Sequence, residues 1–144
     1  MKVADILKVK GREVSTIAPD TVVARVAEQL RLERIGALVV SRDGRRVEGI
    51  ISERDIVYGI ARLGADVLGQ RTAHIMTGAV RTCSPDDRVR DVMVAMTNAR
   101  IRHLPVVEHG RLCGIVSIGD VVKSFLDDTD LEVRVLRDAY LGHR

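Results

Sequence analysis

Apolar positions along the chain change their spacing in a fixed order, and the order occurs twice. Residues 14–17 form a short β-prone run that Pro19-Asp20 breaks, the aspartate offering a carboxylate to the next helix start. Val23, Val26, Ala27 and Leu30 recur at steps of three and four, which predicts an amphipathic helix. Ala37-Leu38-Val39-Val40 is a continuous apolar run, as expected of a strand covered on both faces. A turn at Asp43-Gly44 leads to a second run over 47–51, so the two runs predict a hairpin. Ile56, Val57, Ile60 and Ala61 then return to helical spacing, with Gly64 as a stop signal.

The second copy appears when the chain is laid on itself. Pro19-Asp20 matches Pro85-Asp86, and Val23, Val26, Leu30, Ile35, Leu38 and Val40 match Val89, Val92, Met96, Ile101, Leu104 and Val106, all at an offset of 66. From Gly49-Ile50-Ile51-Ser52 against Gly114-Ile115-Val116-Ser117 the offset is 65, and the slip falls in a polar turn where an insertion is tolerated. A long period repeated only twice marks an internally duplicated domain, not a solenoid. The expected fold is α/β, a β-α-β-β-α order twice over. Short lead-in helices are expected at 3–7 and 72–76. The expected boundaries are a first repeat with its lead-in over 1–63, a linker over 64–71 and a second repeat with its lead-in over 72–128. A C-terminal helix is expected over 129–144, where Leu131, Val135 and Ala139 step by four.

Composition narrows the chemistry. Of 144 residues 46% are hydrophobic but only 2% aromatic, so the core must be built from Val, Ile, Leu, Ala and Met. One Phe, two Tyr and no Trp leave almost nothing on which single-stranded bases would stack, and a net charge of +3 with no long basic block argues against a nucleic-acid partner. Cys83 and Cys113 are far apart and form no CxxC, which reads as two reduced thiols in a cytoplasm. No segment approaches the roughly 20 apolar residues of a membrane span, and the first residues lack the apolar stretch of a signal peptide. The expected location is cytoplasmic, with no membrane association.

Ser52-x-x-Asp55 and Ser117-x-x-Asp120 each follow Gly and two aliphatics and open a helix. The same spacing serves two purposes. Ser-x-x-acid before an apolar helix is a capping box, which needs no ligand. It also places a hydroxyl beside the free N–H groups of a helix start, where phosphate is well accommodated, and a carboxylate one turn in, able to accept hydrogen bonds from a ribose diol.

With both copies in view, Gly-aliphatic-aliphatic-Ser-x-x-Asp at the end of each β-α-β-β-α unit resembles the tandem CBS-domain family, also called Bateman modules. Supporting marks are Asp5-Ile6-Leu7 and His74-Ile75-Met76-Thr77 before the copies and Ile101-Arg102-His103-Leu104-Pro105-Val106-Val107 in the second. The resemblance covers residues 3 to about 126. It implies two copies packed by pseudo-two-fold symmetry through their sheets, with two clefts for adenosine-containing ligands such as AMP, ADP, ATP, NAD(H) or S-adenosylmethionine. It implies a sensor of energy or redox state, without catalysis. Carried over by residue, Asp120 holds a ribose, Ser117 lies near the phosphate, and Arg102 and His103 neutralise it, with the adenine among Thr16, Ile17, Ile35, Gly36 and Ile115. In the symmetric cleft Asp55 and Ser52 take the sugar and phosphate roles, with Thr82, Cys83, Ile101 and Ile50 around the base.

Where the second copy has Arg102-His103 the first has Gly36-Ala37, and Glu53 opposes phosphate at the first helix start, offset by Arg54. The Asp120 cleft is therefore expected to bind phosphate more tightly. No HExxH, P-loop, GxGxxG or nucleophile elbow is present, and His74, His109 and His143 show no metal-ligand spacing. Residues 42–46 read as a solvated hairpin turn. A homodimer is expected by analogy with the family. With about 20 residues after the second copy, output would pass in trans to a protein effector. The competing class is a ligand-free dimerisation or docking module built on the same repeats.

Overall fold

The protein, described over residues 1–142 by a computed structural model, is built from five strands and six α-helices. His143 lies outside the described residues. Helix α1 (Val3–Lys10) leads to strand β1 (Thr16–Ile17), α2 (Val23–Glu33), β2 (Ala37–Val40), β3 (Gly49–Ser52) and α3 (Glu53–Leu63). After a 3-10 turn over Gly64–Gly69 come α4 (Thr72–Ile75), α5 (Val89–Ala99), β4 (His103–Glu108), β5 (Arg111–Ser117) and α6 (Ile118–Leu141).

The first sheet has the order β1-β2-β3, β1 and β2 parallel and β2 and β3 antiparallel. The second holds β4 and β5, joined at His109-Gly110, both with positive φ as a tight two-residue turn requires. The first strand of the second copy, at the offset of 66 from Thr16-Ile17, is reduced to one residue, Cys83, bridging in parallel to Val106. A proline explains the shortening. In the first repeat the Val39 N–H donates to the Ser15 carbonyl, but the corresponding position of the second is Pro105, which has no N–H to give.

The two repeats have separate apolar cores, and each is completed by the lead-in of the other. Val3, Ile6 and Leu7 of α1 pack with Val89, Val92, Met96, Val116 and Val121 of the second repeat. Val67, Ile75 and Met76 pack with Val23, Val26, Leu38 and Ile51 of the first. Backbone bonds repeat the exchange. The Val3 and Ala4 N–H groups donate to Asp87 and Pro85, while those of Thr72 and Ala73 donate to Thr21 and Pro19. The spans expected as units, 1–63 and 72–128, are thus copies in sequence but not in packing. The reason is elementary: a lead-in of one or two turns buries apolar groups only where a sheet and helix leave a gap, and that gap lies in the opposite repeat.

The linker expected over 64–71 is packed on the first repeat, with Val67 fully buried against Gly59, where a Cβ would sit 2.6 Å from Val67 Cγ2. The C-terminal helix expected over 129–144 is not separate from the last helix of the second repeat. Residues 127–130, Asp-Asp-Thr-Asp, contain no Gly or Pro, so α6 runs unbroken for 24 residues, whereas α3 stops at Gly64 with φ of 63°.

Candidate functional site

Both Ser-x-x-Asp pairs form complete capping boxes. At the start of α3 the Ser52 N–H donates to Asp55 Oδ2 (2.9 Å) and the Asp55 N–H donates to Ser52 Oγ (3.3 Å). At the start of α6 the Ser117 N–H donates to Asp120 Oδ2 (2.9 Å) and the Asp120 N–H to Ser117 Oγ (3.1 Å). Each carboxylate sits one turn inside its helix, where the positive end of the helix dipole favours it.

A third group reaches each carboxylate from the C-terminal end of a lead-in or just beyond it. Thr77 Oγ1 donates to Asp55 Oδ1 (3.2 Å), and Lys10 Nζ lies 2.6 Å from Asp120 Oδ2. The two aspartates therefore differ electrically: Asp55 has a neutral hydroxyl, Asp120 an ammonium. Burial alone would raise the Asp120 carboxyl, but the hydrogen bonds from Lys10 and from the Ser117 N–H hold it below the ordinary carboxylate value.

Two clefts lie beside these helix starts. One, of about 160 Å³, is bordered by Ile50, Ser52, Asp55, Thr77, Ile101 and Arg102, with Glu53, Arg54 and Arg100 at its margin. The other, of about 340 Å³, is bordered by Lys10, Ser15, Arg34, Ile35, Ile115 and Ser117. Gly36 and His103 border both. A Cβ on Gly36 would come within 3.0 Å of the His103 ring, so the absence of a side chain there lets the imidazole stand between the clefts.

The structure redistributes several expected residues. Ile50, Ser52, Arg54, Asp55 and Ile101 meet in the Asp55 cleft, and Ile35, Gly36, His103, Ile115 and Ser117 in the Asp120 cleft. Thr16 and Ile17 do not border the Asp120 cleft, whereas Val14 and Ser15, just before β1, do. Thr82 and Cys83 line neither cleft. Cys83 bridges to Val106 and turns into the second core, where burial pushes its thiol up to about 12. Both cysteines are free thiols, in agreement with the sequence.

Arg102 borders the Asp55 cleft and not the Asp120 cleft. His103 borders both clefts, so it meets Arg102 in the Asp55 cleft, whereas beside Ser117 it stands without Arg102. The cations therefore do not favour the Asp120 cleft as expected. Lys10, Arg34, Thr77 and Arg100 were missed. A signal existed for two of them, since Arg34-Ile35 and Arg100-Ile101 align at the repeat offset. Lys10 ends one lead-in and Thr77 follows the other, and the crossing of the lead-ins is invisible in sequence.

His103 is held below the ordinary histidine value, first by burial and then by the charges of Lys10 and Arg102, which outweigh Glu53 and Asp120. Both effects favour the neutral imidazole, which can donate or accept a hydrogen bond. Because its folded value lies below the unfolded one, the unfolded chain binds more protons as pH falls through about 6.5, and stability declines. His103→Gln should flatten the fall in melting temperature between pH 7.5 and 5.5. An equally steep fall in the variant would remove His103 from that role.

The protein-family model for the CBS domain matches residues 3–62 and 73–127. The chain belongs to the CBS-domain family. A CBS-domain containing protein from Agrobacterium tumefaciens is 45% identical, with a TM-score of 0.83 over 86% of this chain and 98% of that one. A CBS domain pair solved with 5′-methylthioadenosine and S-adenosyl-L-methionine is 27% identical, with a TM-score of 0.77 over 89% and 98% of the two chains. A CBS domain protein from Pyrobaculum aerophilum complexed with AMP is 28% identical, with a TM-score of 0.74 over 83% and 89%. Among the described residues no helix is long and apolar enough to cross a membrane, and no cluster of three or more His, Cys, Asp or Glu side chains could hold a metal ion.

Proposed function

We propose that this CBS pair is a non-catalytic regulatory module that binds adenosine-containing ligands in its two clefts and passes the signal in trans. The observation that carries the reading is that each Ser-x-x-Asp helix start borders a cleft with an aliphatic wall from both repeats, through Ser52 and Asp55 in one and through Ser117 in the other. Similar chains solved with AMP and with S-adenosyl-L-methionine support the ligand class. In this reading the carboxylate takes the ribose hydroxyls, Ile50 and Ile101 or Ile35 and Ile115 flank the base, and the helix N-terminus faces the phosphate. Reduced thiols fit a cytoplasmic setting. A second copy as partner is supported by α6, where Leu126, Val133 and Leu136 are more than half exposed.

One observation favours the ligand-free alternative. The serines and aspartates are already satisfied by their own helices, and Asp120 by Lys10, so no buried polar side chain among the described residues lacks a partner. A thermal-shift series separates the readings. A ligand binding only the folded state stabilises it by about 2.7 kcal/mol at a hundredfold excess over its dissociation constant. We expect a rise in melting temperature with at least one of AMP, ADP, ATP, NAD(H) and S-adenosylmethionine. Flat curves with all of them would leave the interaction module.

A further inference from the structure

The Asp55 cleft does not close at its outer end. It continues into a shallower depression of about 510 Å³, and Arg54, Arg100 and Arg102 border both spaces. The three are exposed, and none lies within 4 Å of a carboxylate among the described residues. Arg54 Nη1 donates to the Arg100 carbonyl (3.1 Å), which ties the first turn of α3 to the end of α5. The cleft thus holds two carboxylates, Asp55 and Glu53, and three guanidinium groups, and of these only the three cations also border the outer depression.

Pseudo-symmetry supplies an internal control. The positions equivalent to Arg54, Arg100 and Arg102 are Gly119, Arg34 and Gly36, so the Asp120 cleft keeps one of the three cations and gains Lys10, which is engaged by Asp120. Arg100 is also an unusual choice locally. It caps α5 in the left-handed region at φ of 54°, where Gly or Asn would be less strained, and Arg34 caps α2 in the same way at 55°. A guanidinium offers several donors in a planar fork suited to phosphate oxygens.

Taking the adenosine reading above as given, we infer that the Asp55 cleft is a polyphosphate site. Its ligand is an adenosine di- or triphosphate whose terminal phosphates lie along Arg54, Arg100 and Arg102, while the Asp120 cleft takes a monophosphate or an uncharged adenosyl group.

The test is calorimetric titration with AMP and ATP at one ionic strength, with Asp55→Asn and Asp120→Asn assigning each binding event to a cleft. At the Asp55 site ATP should bind about tenfold or more tighter than AMP, and in an Arg54→Gln/Arg100→Asn variant the ratio should fall toward one. The readout is that ratio, so a general loss of binding does not imitate it. Gly119→Arg is the converse: a Cβ there meets only Ser117 Oγ at 3.6 Å, and the new guanidinium should raise the ATP-to-AMP ratio at the Asp120 site. AMP binding at the Asp55 site with a ratio near one, or a ratio unmoved by the arginine variant, overturns the polyphosphate assignment and leaves the adenosine reading intact. Absence of binding by either nucleotide overturns the polyphosphate assignment, and overturns the adenosine reading as well if melting curves with NAD(H) and S-adenosylmethionine are also flat.

Discussion

Leu7→Ala is expected to cost about 2–5 kcal/mol, the usual range for removing a fully buried leucine side chain, and to loosen the half of the molecule farther away in sequence. Leu7 is 1% exposed and lies over Gly114 of β5, where a Cβ would come within 2.7 Å of Leu7 Cδ2. Truncation opens a cavity between α1, β5 and α6, all in the second core. Amide exchange under native conditions should show protection falling first in α5, β4 and β5, with α2 and β2 of the first repeat less affected. Val67→Ala should give the opposite pattern, because Val67 belongs to the first core. If Leu7→Ala loosened α2 and β2 first, the exchange of lead-ins would not describe the protein in solution.

The second large effect concerns the two aspartates, and it should be unequal. Under the adenosine reading each carboxylate accepts two ribose hydroxyls, and hydrogen bonds to a charged group contribute about 1.5–3 kcal/mol each. Asp55→Ala should therefore weaken AMP at its cleft by at least about a hundredfold. Asp120→Ala also removes the partner of Lys10, whose ammonium is then free to meet the ligand phosphate, so its loss should be smaller. Both variants forfeit a capping box, a cost of about 1 kcal/mol in stability that melting curves measure separately. Asp55→Asn is the cleaner probe: its amide oxygen still accepts the Ser52 N–H, but it carries no charge and accepts at only one atom. Calorimetry on all three variants decides the matter, and AMP affinity unchanged at both clefts would remove the aspartates from ligand binding.

The helix starts were legible because they depend on neighbours in sequence. Ser52 and Asp55, or Ser117 and Asp120, are three residues apart and need only their own backbone to form a capping box. The β4–β5 turn was legible for the same reason, since His109-Gly110 between two apolar runs admits few geometries. Proline marks where such reading fails. Pro19 and Pro85 were visible as breaks, yet the effect of Pro105 on Cys83 was not, because it depends on which strands lie side by side. Arg102 failed for a related reason: its place in the motif was clear, but the cleft it borders depends on how the repeats face each other.

From its residues alone, then, the chain determines two copies of one element order, the helix caps, the tight turn and the apolar faces, all governed by spacing over a few residues. Only the tertiary structure decided that the lead-ins cross, that Lys10 meets Asp120 while Thr77 meets Asp55, and that three arginines gather at one cleft. These pairings join groups up to 110 residues apart. They arise because short apolar helices must find cover wherever packing leaves room, and the charges at their ends travel with them.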